Sequence, residues 1–86
     1  MVQVVMSVFD VQALLYGRPF FAPARGAAVR SVADEVNRGG QDNVISAHPQ
    51  DFRLFELGTF DDVSGVFSLH GAPVLVCECV SLRVSP

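Results

Sequence analysis

Ten consecutive positions, "YGRPFFAPAR" at 16–25, hold Tyr16, Arg18, Phe20, Phe21 and Arg25. Guanidinium groups engage phosphate oxygens and aromatic rings stack on unpaired bases, and sequence-tolerant recognition of a single strand needs both. Arg30 lies a little further on. The stretch from Arg18 to Arg38 contains four of the six arginines and only two acids, Asp34 and Glu35. Arg25 falls where a helix is expected to begin, and the dipole at a helix start favours an anion. The candidate nucleic-acid-binding residues are Tyr16, Arg18, Phe20, Arg25 and Arg30. The competing assignment puts Phe20 and Phe21 in a core or an interface and leaves the arginines in solvent.

Other reactive side chains point to scaffolding. No serine stands in a nucleophile-elbow context, no cysteine has a histidine close in sequence, and no glycine-rich phosphate loop follows a strand. No catalytic residues are expected, and the protein is read as a non-enzyme. Asp61 and Asp62 form a carboxylate pair beside Ser64-Gly65, where such groups commonly accept backbone hydrogen bonds and shape a turn. Glu56 stands among apolar residues and needs a partner such as Arg53, a backbone amide or an edge position. Cys77 and Cys79 are too close for an unstrained disulfide, and no second Cys or His pair stands at zinc-ligand spacing. Both are expected as reduced thiols pointing the same way from one strand, with no metal and no cofactor. His48 and His70 stand alone.

Composition narrows the class further. Eighty-six residues with 50 % hydrophobic and only 17 % charged residues carry more apolar surface than so short a chain can bury by itself. A homo-oligomer is expected to cover the excess. The formal charge of −3 with no lysine is the opposite of what duplex binding by phosphate neutralisation requires. The N-terminus lacks the basic region of a signal peptide, Asp10 interrupts its apolar run, and no run is long enough to span a bilayer. The chain is expected in the cytosol, without membrane attachment and without a small-molecule substrate.

The elements that must hold these residues follow from periodicity. Val-rich residues 2–9 predict a first strand, ended by Asp10. Residues 11–17 fit either a strand edge or a helical turn, and Phe20-Phe21 between Pro19 and Pro23 suit a short edge strand or an extended connector. Ala28, Val29, Val32, Ala33 and Val36 recur at helical spacing, so 24–38 is a helix stopped by Gly39-Gly40. A polar loop is expected over 39–47. "FRLFELGTF" then alternates as a strand apolar on both faces, with Phe52, Leu54 and Glu56 on one side and Arg53, Phe55 and Leu57 on the other. A turn at 61–65 leads into "VFSLH". Gly71 and Pro73 are expected to break the chain before a last strand, "VLVCECVSLRV". The whole predicts one α+β domain over 1–86, a single helix packed on a mostly antiparallel sheet of four to five strands.

Three stretches, "VFD" at 8–10, "RPFFAPARGAAVRSVADEVN" at 18–37 and "HPQDFRLFELGTFDDVSGVF" at 48–67, resemble the small nonstructural protein of gokushoviruses, single-stranded DNA bacteriophages of the microvirus family. The matching residues are Phe9, Asp10, Pro19, Phe20, Phe21, Gly26, Ala28, Arg30, Asp34, Val36 and Asn37, then His48, Pro49, Asp51, Leu54, Phe55, Glu56, Gly58, Phe60, Asp61 and Gly65. The resemblance implies a protein made during infection, acting in the host cytoplasm, binding single-stranded DNA and serving genome replication and the production of progeny single strands. The other functional class that the sequence allows is a module binding a viral or host protein without touching DNA.

Overall fold

The computed structural model describes residues 1–84, so the last two positions of the expected 1–86 domain lie outside the described residues. Strand β1, Val2–Asp10, is the spine of an antiparallel sheet. Asp10 ends it by turning its carboxylate onto the backbone: Oδ1 accepts from the amides of Gln12 (2.9 Å) and Ala13 (3.2 Å). Such a side-chain mimic of a turn reverses the chain. Two short strands, β2 (Leu15–Tyr16) and β3 (Phe20–Ala22), then pair with the same edge of β1, interrupted at Gly17-Arg18-Pro19.

Helix α1, Arg25–Arg38, carries the chain across to the far side of β1. Strand β4, Phe52–Asp61, lies there, and β5, Val66–Glu78, forms the outer edge beyond it. The sheet order is β2-β1-β4-β5, with β3 beside β1. The expected α+β architecture is the one observed: one main helix on a curled antiparallel sheet.

The helix covers one face of the sheet. Ala28, Val32 and Val36 are its buried stripe, packed with Met6, Phe52, Leu54 and Cys79. Alternation along β1 therefore turns Val4, Met6 and Val8 toward the helix and Gln3, Val5, Ser7 and Phe9 away from it. On β4 the same rule places Phe52, Leu54 and Glu56 under the helix and Arg53 and Phe55 on the other face.

Three expectations are corrected and one open choice is resolved. Residues 39–47 are not all loop: a one-turn helix α2, Val44–Ala47, forms because Asn43 caps it, its Oδ1 accepting from the Ser46 amide at 3.1 Å. Asn43 is buried and also donates to the Glu35 carbonyl, which fixes the end of α1. Residues 11–17 resolve into a turn and β2. Gly71 and Pro73 do not break the last strand. They sit within β5, where the register jumps from Leu69 opposite Gly58 to Val74 opposite Glu56. The chain also leaves the sheet after Glu78. Cys79–Leu82 is a 3-10 turn, and Asn37 holds the following segment to the helix, donating to the Leu82 carbonyl (3.0 Å) and accepting from the Val84 amide (2.9 Å). Cys79 accordingly lies off the strand, but both thiols face the core: Cys79 is buried in it and half-buried Cys77, on β5, packs against it.

The jump in register is tied to Gly58. A Cβ there would lie 2.4 Å from the Ser68 carbonyl oxygen and 2.7 Å from the Leu69 Cα, both backbone atoms that cannot swing aside. Gly58→Ala is expected to destabilise the fold by about 1–3 kcal/mol. Gly26 lies in the first turn of α1, and a Cβ added to it would meet nothing within 4 Å. Gly26→Ala is therefore expected to stabilise by about 0.4–1 kcal/mol. Urea unfolding of the two variants beside the parent gives both signs.

Candidate nucleic-acid interface

The face of the sheet away from α1 carries six of the eight aromatic residues. Phe9, Tyr16 and Phe55 come from β1, β2 and β4. Phe9 and Tyr16 are directly opposite in the ladder, with ring centroids 4.7 Å apart, and Tyr16 meets Phe55 edge-on at 5.4 Å. A second group sits toward the other end: Phe60 lies 4.7 Å from Phe67 and 5.5 Å from Phe21. Cross-strand aromatic neighbours of this kind support one another in tilted and edge-to-face arrangements. Val5 and Ser7 lie between the two groups and are buried; the Ser7 hydroxyl donates to the Gly17 carbonyl at 2.8 Å. Tyr16, Phe21 and Phe67 are exposed, so part of each ring system is open to solvent.

The five candidate residues are not gathered into one groove. Tyr16 belongs to the first ring group. Arg18 and Phe20 lie on the helix side, where with Ser31, Val32, Glu35 and Ile45 they line a cleft of about 360 Å³ between the β2–β3 edge and α1. Phe20 is half-buried and packs against the core. Arg30 is exposed on α1, and among the described residues no carboxylate forms an ion pair with Arg30 or Arg18. Tyr16 and Arg18 therefore share one edge of the sheet, ring to one face and guanidinium to the other.

Arg25 has a different partner. Its Nε donates to Glu56 Oε1 at 3.1 Å, and His70 Nε2 lies 2.6 Å from Glu56 Oε2. Of the partners the sequence left open for Glu56, Arg53 is not the one: the two alternate along β4 and point to opposite faces. Arg53 instead faces Glu78 across the β4–β5 ladder at 3.4 Å, without the alignment of a hydrogen bond. The Arg25 guanidinium and the His70 ring hold the Glu56 carboxyl below the usual carboxylate range, against the opposing effect of burial.

The acidic turn is structural as well. Asp61 Oδ1 accepts from the Val63 amide at 2.9 Å, and Asp62 accepts from the Met1 ammonium and Gln3 Nε2. Burial pushes the Cys79 thiol up to about 11, with Cys77 adding to the effect, which leaves it a weak nucleophile. Among the described residues no group of three or more His, Cys, Asp or Glu could hold a metal ion.

Sequence reasoning named Tyr16 but missed Phe9, Phe55, Phe60 and Phe67 as a shared surface. Period-two alternation did separate Arg53 and Phe55 from Phe52 and Leu54. The pairing of β1 with β2 and β4 was needed to bring those rings together.

The fold and this surface define a helix-backed antiparallel sheet with a bare aromatic face. The chain belongs to the Phage ORF5 protein family, whose model matches residues 3–82, and is thus placed among bacteriophage proteins. No curated protein and no solved structure matches it. Among the described residues no helix is long and apolar enough to cross a membrane.

Glu56 makes acid stability testable. Because its carboxyl is lowered in the folded state, its contribution is fully present above the unfolded value of about 4.3 and is lost as pH falls through the folded one. Glu56→Gln is expected to cost about 1.5–3 kcal/mol at neutral pH, the range for hydrogen bonds to a charged group. The variant should also lose part of the parent's decline in stability between roughly pH 5 and pH 2. Denaturant titrations across that interval measure both effects.

Proposed function

We propose that this protein is a non-catalytic, gokushovirus-type phage protein that binds single-stranded DNA in the host cytoplasm during genome replication and progeny-strand production. The observation that carries the reading is the open face of six aromatic rings on a sheet backed by one helix. Unpaired bases present π-faces, and each base stacked on such a ring contributes about 1–3 kcal/mol whatever its sequence. Tyr16 is an exposed ring on the same sheet edge as Arg18, a cation without an acidic partner among the described residues, so a strand whose bases lie on the open face would meet Arg18 where its backbone crosses the β2–β3 edge. Arg25 is a poor phosphate ligand because Glu56 already engages it; Arg18 and Arg30 are the better candidates. Coating a displaced strand in this way would keep it from conversion to duplex.

A second reading, a module that binds a viral or host protein, draws on the net charge of −3 and the exposed apolar residues of β5. One titration separates the two. A fluorescent oligothymidine is expected to bind better than a duplex of equal length, with affinity falling as salt rises. Tyr16→Ala should weaken binding by about 1–3 kcal/mol with little change in salt dependence. Arg18→Ala with Arg30→Ala should lower the slope of log K against log salt by roughly 0.7 for each phosphate that is no longer neutralised. Absence of binding by the parent at low salt would put the partner-protein reading in its place.

A further inference from the structure

Strand β5 forms one edge of the sheet, and its composition is unusual for that position. It runs thirteen residues, "VFSLHGAPVLVCE", and its only formally charged residue at pH 7 is Glu78, at one end and facing Arg53. Val66, Phe67, Leu69, Val74 and Leu75 are between 40 and 66 % exposed. Val66 and Phe67 are neighbours, as are Val74 and Leu75, so apolar side chains stand open on both faces of the strand. A strand apolar on both faces has the character of a sheet interior.

Edge strands are normally guarded by charges, prolines or bulges, because a row of free N–H and C=O groups templates another strand. On β5 the main interruption is the His70–Pro73 irregularity in the middle; segment 66–69 has no guard, and 74–77 carries only a one-residue irregularity at Val76. The opposite edge is different. There β2 and β3 are two and three residues long and are separated by Gly17-Arg18-Pro19.

The surface area agrees with a covered edge. The chain exposes 5469 Å², whereas a compact monomer of 9.3 kDa would expose roughly 5,000 Å². The excess of roughly 500 Å² approaches the 600–800 Å² or so that each partner contributes to a standard interface. The molecule is also elongated, 43 × 24 × 20 Å.

We infer that β5 is a self-association edge, and that its occupant is β5 of a second copy of this chain, paired antiparallel about a twofold axis. A nucleic-acid backbone is a poor occupant, since β5 carries no arginine to meet phosphates. A second copy supplies an equally apolar, nearly uncharged strand with free backbone groups, and an isologous pairing brings no like charges together along 66–69 or 74–77. Edge pairing makes the two sheets continuous, with both helices on one face and both sets of aromatic rings on the other. Pairing of this kind requires no DNA.

Sedimentation equilibrium of the full chain, without nucleic acid, tests it over roughly 1–200 µM. The parent is expected to reach twice 9.3 kDa. Leu69→Arg and Leu75→Arg, made singly, are each expected to weaken dimerisation at least tenfold with an unchanged circular dichroism spectrum. Leu14→Arg and Val63→Arg, at exposed apolar positions off β5, should leave it unchanged. Hydrogen exchange of the parent supplies a readout that no variant can confuse: amides of β5 that face the free edge should become protected as concentration rises. A parent that stays at 9.3 kDa throughout overturns the inference. So does a dimer that tolerates both β5 arginines, one that Leu14→Arg disrupts instead, or β5 amides whose exchange is independent of concentration.

Discussion

A buried carboxylate ties three separate elements of this molecule, the helix and two strands, to one point. Glu56 stands on β4 beneath the start of α1, where a charge without partners would cost several kcal/mol in lost hydration. Its two oxygens are met by Arg25, the first residue of the helix, and by His70, in the irregular middle of β5. One side chain thus fixes where the helix begins over the sheet and draws the outer strand toward the same point. The start of α1 needs that anchor, because Ala24 offers no side-chain cap and Gly26 weakens the first turn.

The jump in register beside Glu56 follows from the same geometry. Between Glu56 and Gly58 one residue of β4 faces a stretch of β5 that runs from Leu69 to Val74. The surplus residues include His70, which is how a strand that would otherwise alternate past the site places a ring on the Glu56 carboxylate. Gly58 permits the close approach of β5 immediately after the irregularity. Re-aiming a side chain is a recurrent use of bulges in antiparallel sheets. Here it converts a histidine on an exposed edge strand into a partner of a buried acid.

With one helix available, only one face of the sheet can be covered. The other face must manage its own apolar side chains, and it does so by clustering six rings around buried Val5 and Ser7. Two of the four acids in the "HPQDFRLFELGTFDD" run, Asp61 and Asp62, hold backbone, terminus and a glutamine side chain. Glu56 holds the helix and β5. Scaffold duty accounts for these three carboxylates, and Arg18, Arg30 and Arg83 have no acidic partner among the described residues, Arg83 donating instead to the Ser46 carbonyl.

Local sequence determined α1, because the period of Ala28, Val32 and Val36 can bury a stripe only in a helix, and it determined β1, β4 and the 61–65 turn for equally local reasons. It also separated the two faces of β4, since alternation is intrinsic to a strand. Tertiary structure decided what alternation cannot specify: which strands lie side by side, and so which rings meet. Phe9, Tyr16 and Phe55 are distant in sequence and become neighbours only through the β2-β1-β4 order. Glu56 and Arg25 are 31 residues apart: alternation turns the nearer Arg53 to the other face, but nothing local selects Arg25 among the remaining arginines. The fate of residues 79–84 was likewise a tertiary matter: an apolar, β-branched run favours a strand by propensity, but Cys79 fills the core and Asn37 binds the segment to the helix, and those contacts outweigh a preference worth tenths of a kcal/mol per residue.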